Sequence, residues 1–236
     1  MTARIGVVLF PGSNCEQDVV TAFEYLEAEV RYVWHHEREL TGFDAVVLPG
    51  GFSYGDYLRT GAIAAFSPVM DAVRNFASLG GPVLGICNGF QILCEAGMLP
   101  GALRRNVGLK FRCTPVTIRV ETVDSPFLLE AAPGQVLSIP INHFEGNYVC
   151  PPEDLARLEA EERVAVRYCT PQGDVTAEAN PNGATDNIAG VLSEGRNVLG
   201  LMPHPERAVD PAVGGTDGQV LLRSLLDAVK RLSARA

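Results

Sequence analysis

The feature that most constrains the fold is a short apolar strand that turns directly into an apolar helix at a cysteine. Residues 82–93 read PVLGICNGFQIL, where Gly-x-Cys-x-Gly separates two apolar runs. Gly85 and Gly89 allow strand and helix to approach closely, and the turn lifts the Cys87 thiol to the edge of a sheet. A helix N-terminus favours a thiolate. The pattern predicts a nucleophilic cysteine, although a buried, inert thiol in a tight turn fits the same residues.

Strands and helices alternate through the first half of the chain. Ser13 to Glu16 read as a capping box that starts a helix, and Ser67 before Pro68 starts another that runs to about residue 78. This alternation predicts an α/β fold with right-handed crossovers and a mostly parallel central sheet flanked by helices. Apolar runs predict the strands of this half at residues 5–10, 30–34, 44–48 and 83–86.

The second half shows strands with few helices between them, which predicts a mixed or antiparallel extension of the sheet. Residues 188–192 and 198–202 flank a turn and favour a hairpin. Thr216 is expected to cap a last helix whose apolar face includes Val220, Leu221, Leu225, Val229 and Leu232. No linker separates the halves, so we expect one domain over residues 1–236. The other strands of this half are expected at 112–121, 135–140 and 164–168.

Charge and composition exclude several classes of protein. The 19 basic and 28 acidic residues give a net charge of −9, which argues against binding nucleic acid or an anionic membrane surface. No apolar run is long enough to cross a bilayer, and because the first residues are predicted to enter a strand at once, we expect no secretory signal. The six cysteines lack CxxC or framework spacing and are expected as free thiols, without a metal, in a reducing cytoplasm.

The small number of lysines limits where the chain could form a phosphate-binding loop. The only lysines are Lys110 and Lys230, and neither belongs to a Gly-x-x-x-x-Gly-Lys-Ser/Thr loop. We therefore expect no nucleoside triphosphate site of that type and no cofactor in this chain.

A cysteine nucleophile needs a base that a third group orients. His204 and Glu206 stand in Pro-His-Pro-Glu, where an extended backbone would point both side chains to one side. His143 and Glu145 have the same spacing and remain a rival pair, whereas His35 and His36 are expected at the surface.

Acyl chemistry also requires N–H groups that stabilise an oxyanion. The amide of Asn88, directly after the nucleophile, is one expected donor. The turn at residues 49–51, Pro-Gly-Gly, is the expected source of the second, although a plain turn that closes a strand would read the same.

Together these motifs, in this order, resemble the class I (triad-type) glutamine amidotransferases over essentially the whole chain. The resemblance implies a flavodoxin-like fold and glutamine hydrolysis to glutamate and ammonia through a cysteine thioester. It implies Cys87 as nucleophile, His204 as general base and acid, and Glu206 as the residue that orients it. It further implies oxyanion-hole amides at Gly51 and Asn88, and contact of Gln91 with the substrate glutamine.

A narrower resemblance is to the glutaminase subunits of phosphoribosylformylglycinamidine synthases of purine biosynthesis. It rests on residues 49–59 (PGGFSYGDYLR), on Asn88, and on residues 180–183 and 215–218. It implies that ammonia passes to a synthetase subunit, which binds ATP and Mg²⁺ and converts formylglycinamide ribonucleotide to formylglycinamidine ribonucleotide, and that a small third subunit is present. A glutaminase of another synthetase, a cysteine hydrolase or peptidase of similar fold, and a non-catalytic regulatory module remain alternatives.

Overall fold

The computed structural model describes residues 2–233, which form eleven β-strands and five α-helices. The strands are β1 (Arg4–Leu9), β2 (Glu29–Trp34), β3 (Ala45–Leu48), β4 (Val83–Ile86), β5 (Ala102–Arg104), β6 (Arg112–Val120), β7 (Val136–His143), β8 (Asn147–Val149), β9 (Val164–Cys169), β10 (Ile188–Leu192) and β11 (Val198–Leu201). The helices are α1 (Glu16–Tyr25), α2 (Pro68–Ser78), α3 (Asn88–Glu95), α4 (Pro152–Ala160) and α5 (Gly218–Ser233).

Nine strands form one sheet in the order β2-β1-β3-β4-β11-β10-β9-β6-β7. The strands from β2 to β11 pair in parallel, and the pairs from β11 to β7 are antiparallel. Every residue of β3, β4 and β11 is buried, as expected for parallel strands covered on both faces. The predicted α/β fold, with its mostly parallel core and its antiparallel extension, is confirmed.

The parallel arrangement gathers functional loops at one edge of the sheet. The carboxyl ends of parallel strands lie together, so the segments that follow β1, β3, β4 and β11 converge. Cys87 N–H donates to the carbonyl of Leu201 at 2.8 Å, which joins the end of β4 to the end of β11. The antiparallel half adds strand β7, because His204 N–H donates to the Pro140 carbonyl at 2.8 Å.

Several local predictions were wrong. The capping box does not form: α1 starts at Glu16 after Cys15, and the Ser13 hydroxyl instead accepts from Phe10 N–H at 3.1 Å. α5 starts at Gly218, and it is the Thr216 carbonyl, not its side chain, that accepts the Gln219 N–H at 3.0 Å.

Further features of the chain were missed or misplaced. Leu232 was assigned to the apolar face of α5 but is 52% exposed. β7 continues past Pro140, which the edge position of the strand tolerates. Helix α4 and the small β5–β8 sheet were not predicted. Within residues 2–233, none of the helices combines the length and apolar character that crossing a membrane requires.

Candidate active site

The strand–turn–helix around Cys87 has the tight geometry that its glycines predict. Cys87 lies between β4 and α3 with φ 51° and ψ −102°, a conformation that side-chain-bearing residues rarely adopt. A Cβ atom at Gly89 would lie 2.7 Å from the carbonyl carbon of Leu48 in β3, and one at Gly85 would lie 2.8 Å from the carbonyl carbon of Gly89. The two glycines therefore permit the close packing that holds Cys87 in its strained turn.

His204 and Glu206 form a buried pair beside the cysteine. His204 Nδ1 and Glu206 Oε1 are 2.6 Å apart, and their side chains are 1% and 0% exposed. The pairing is as predicted, but the reason was wrong: Pro205 to Arg207 form a 3₁₀ turn, not an extended segment. The other ring nitrogen, Nε2, is buried without a hydrogen-bond partner among the described residues.

The surroundings of His204 favour its charged form. Burial opposes protonation, yet the pKa of His204 is raised well above its ordinary value because the Glu206 carboxylate and the thiols of Cys87 and Cys15 lie beside the ring. The Cys87 thiol also approaches the Asn142 carbonyl, with Sγ and O 3.7 Å apart. An imidazolium next to a thiol can stabilise a thiolate, which is the form that acts as a nucleophile.

Cys15 is a site residue that the sequence did not reveal. It is 3% exposed, and its sulfur accepts from the Arg207 guanidinium at 3.2 Å while Arg207 also donates to Asp18 at 3.0 Å. Donor atoms of Cys15, His204 and Glu206 lie within 4.8 Å of one another, a spacing at which a metal ion could be held. The guanidinium against the sulfur opposes a cation there. The available signal was topological, since Cys15 follows β1 and β1 neighbours β3.

His143, the rival base, is fixed in a neutral form. Asn106 uses its NH₂ group for the carbonyls of Lys110 and His143, both at 3.0 Å, so its Oδ1 accepts from Gly146 N–H at 2.9 Å and from His143 Nδ1 at 3.1 Å. Nδ1 therefore carries the ring proton. Burial, and then the charge on His204, lowers the pKa of His143 to about 3. Its expected partner Glu145 instead pairs with Arg105 at 3.5 Å, so His143 lacks the orienting carboxylate that the spacing predicted.

The structure places the remaining predicted residues around Cys87. Gly51 lines a cavity that Cys87 also lines, and its φ of 143° is a conformation that requires glycine. The Asn88 side chain is buried, where its Oδ1 accepts from Ser53 N–H at 3.2 Å and its NH₂ donates to Gln91 at 2.9 Å. Gln91 in turn donates to the Glu145 carbonyl at 2.6 Å. The amide roles of Gly51 and Asn88 and the substrate contact of Gln91 stay predictions, and Gln91 fixes the Glu145 segment.

A cavity of about 880 Å³ opens over the cysteine and is large enough for an amino acid. Its walls combine the Cys87 thiol and the two buried imidazoles with several charged side chains. Among its lining residues are Cys87, Gln91, His143, His204, Asp56 and Glu145.

Comparison with known proteins fits this geometry. Residues 2–215 match the CobB/CobQ-like glutamine amidotransferase domain. The chain belongs to this family. It is therefore a glutamine amidotransferase, and the resemblance drawn from the motifs around Cys87 and His204 is confirmed.

Several relatives align with nearly the whole length of this glutamine amidotransferase. It is 56% identical to the phosphoribosylformylglycinamidine synthase subunit PurQ of Koribacter versatilis, over 97% of this chain and 99% of that one. It is 52% identical to the PurQ subunit of Salinibacter ruber, over 99% of this chain and 100% of that one. A chain in the structure of PurLQS from Thermotoga maritima superposes with a TM-score of 0.86 at 42% identity, over 96% of this chain and 99% of that chain.

Proposed function

We propose that this chain is the glutaminase subunit of a phosphoribosylformylglycinamidine synthase and supplies ammonia to a synthetase subunit. The observation that carries the chemistry is the buried His204–Glu206 pair beside a cysteine held in a strained turn. The subunit assignment is supported by relatives of that name that match nearly the whole chain at more than half identity.

The Cys87 thiolate attacks the side-chain amide carbon of glutamine. Amide N–H groups of Gly51 and Asn88 stabilise the oxyanion of the tetrahedral intermediate. His204 gives a proton to the departing nitrogen and then takes one from the water that hydrolyses the thioester, while Glu206 holds the ring through Nδ1. Glutamate and ammonia are the products.

The ammonia is consumed on another chain. Making an amidine from an amide requires activation by ATP, and we assign ATP and Mg²⁺ to the synthetase subunit. The proposal also includes a small third subunit, which the sequence resemblance implies. Ammonia must remain unprotonated between the two sites, which calls for a path shielded from water.

Replacement of the nucleophile tests the assignment. In the complex with its synthetase, Cys87→Ala and Cys87→Ser should abolish glutamine-dependent synthesis and leave synthesis from added ammonia intact. Cys113→Ser, at an exposed cysteine, serves as the matched control. Glutamine hydrolysis that survives in Cys87→Ala would show that another group is the nucleophile. Equal glutaminase activity with and without the synthetase would contradict the proposed partnership.

A further inference from the structure

The cavity over Cys87 contains a carboxylate that the hydrolytic mechanism does not use. Asp56 lines this cavity, and its Oδ1 is buried without a hydrogen-bond partner among the described residues. A buried acceptor without a donor is costly, so a native structure that keeps one needs a reason for it.

The arginines around the cavity do not neutralise Asp56. Arg59 makes two hydrogen bonds to Glu95, both at 2.6 Å, and Arg105 pairs with Glu145 at 3.5 Å. Arg207 pairs with Asp18 at 2.9 Å. In the described part of the chain Arg104 forms no ion pair with any carboxylate. Asp56 thus faces the cavity as an anion without a partner.

A second acceptor points to a ligand rich in N–H donors. His143 is 3% exposed, and because its Nδ1 proton faces Asn106, the lone pair on Nε2 lies on the opposite side of the ring without a partner among residues 2–233. His143 lines the same cavity. Glutamine presents donors at both ends, in its side-chain amide and in its α-ammonium group.

Asp56 and Glu145 line the same cavity as Cys87. Gln91 lies one helical turn after Cys87, and it holds the Glu145 segment through the hydrogen bond to the Glu145 carbonyl. The four bonds from the amide carbon of glutamine to its α-nitrogen span about 5 Å. A glutamine whose amide carbon lies at Cys87 therefore extends its α-ammonium group about 5 Å into the cavity that Asp56 and Glu145 also line.

The loop that carries Asp56 is held in place. Tyr54, Gly55 and Asp56 all have left-handed backbone angles, with φ 54°, 66° and 55°. The Tyr54 hydroxyl bonds to His35 at 2.9 Å and to Ser67 at 3.0 Å. Burial raises the pKa of Asp56 to about 6, and the negative charge of Glu145 contributes to the rise. A cation between the two carboxylates would relieve their repulsion.

We propose that Asp56, with Glu145 beside it, binds the α-ammonium group of the substrate glutamine. This inference rests on the proposed glutaminase function and adds the residue that selects an α-amino acid over other primary amides. Asp56 acts in substrate binding. Its loss should therefore weaken recognition of the α-ammonium group and should not affect amide hydrolysis itself.

The test compares glutamine with 4-carbamoylbutanoate, which has the same amide but no α-amino group. In the complex with the synthetase, Asp56→Asn should lower kcat/KM for glutamine roughly 10- to 100-fold, the usual effect of removing one charge-assisted hydrogen bond. It should leave kcat/KM for 4-carbamoylbutanoate unchanged or raised. Asparagine tolerates the left-handed backbone at this position, so the loop should keep its shape.

Controls separate the possible outcomes. Asp71→Asn, at an exposed acid of α2, should change neither substrate, and Glu145→Gln should reduce the preference for glutamine if Asp56→Asn does not fold. A wild-type complex that hydrolyses no glutamine would overturn the proposed function. If wild type hydrolyses glutamine, the α-ammonium site can be tested separately. That site is overturned if Asp56→Asn prefers glutamine over 4-carbamoylbutanoate as strongly as wild type does. If Asp56→Asn does not fold, the same result in Glu145→Gln overturns it.

Discussion

The contact between the first turn of α3 and strand β3 leaves no room for a side chain at position 89. A Cβ atom there would lie 2.7 Å from the Leu48 carbonyl carbon and closer still to its oxygen, whereas real Cβ contacts essentially never fall below 3.0 Å. Gly89→Ala must therefore move helix and strand apart by about 1 Å. Alanine favours a helix over glycine by roughly 0.5–1 kcal/mol, so any loss must come from this displacement.

Two measurements follow from the displacement. Overpacking of this size costs about 1–3 kcal/mol in the free energy of unfolding, measured by urea denaturation. Because Leu48 leads into Gly50 and Gly51, and α3 starts directly after Cys87, the same shift misplaces Cys87, the proposed nucleophile, relative to the expected oxyanion donors. A misplacement of 1 Å can cost roughly 10²-fold in rate, so we expect that loss in glutamine-dependent kcat/KM.

A matched glycine separates packing from backbone effects. A Cβ at Gly80 meets no heavy atom within 4 Å, but Gly80 has φ +88°. Gly80→Ala should cost about 1–2 kcal/mol in stability through its left-handed backbone and should leave glutaminase activity unchanged in the folded protein. A Gly89→Ala protein with wild-type kcat/KM would refute the reasoning, because the turn would then tolerate a wider strand–helix separation.

Three further perturbations have defined outcomes. Glu206→Gln should lower glutamine-dependent kcat by about 10³- to 10⁴-fold without affecting ammonia-dependent synthesis, since the ring loses the carboxylate that orients it and stabilises its charge; unchanged glutamine turnover would contradict this role. Lowering the pH through about 6 should reduce kcat/KM for glutamine as Asp56 takes up a proton, and Asp56→Asn should remove that part of the pH profile. Arg167→Met should lower the free energy of unfolding by about 2 kcal/mol, because the buried guanidinium bonds Asp186 at 2.7 Å and also pairs with Glu159; a urea midpoint equal to wild type would argue against it.

The sequence was most informative where short segments determine both structure and chemistry. The turn at Cys87 was predictable because two glycines and two apolar runs specify it locally, and α2 has the predicted bounds because Pro68 defines its start. The pairing of His204 with Glu206 was predictable from two residues in one motif, even though the backbone between them is a 3₁₀ turn.

Contacts between distant segments were not predictable in the same way. Cys15 meets Arg207 across 192 positions of sequence, and no local pattern encodes that contact. Asn106 fixes the protonation of His143 from 37 positions away, which explains why spacing alone left His143 as a rival base. The failed capping box has a local cause, since the Ser13 hydroxyl bonds backward to Phe10 and not forward into α1.

The strained backbone of Cys87 makes reactivity a property of the finished tertiary structure. An unfolded or newly synthesised chain relaxes that dihedral, and its sulfur is then an ordinary thiol without an imidazole beside it. Loosening of the sheet edge should therefore silence glutamine turnover before most of the secondary structure melts. A chain that has not yet folded should therefore not hydrolyse glutamine. The rate of glutamine turnover should in turn measure how much of the chain has the native structure around Cys87.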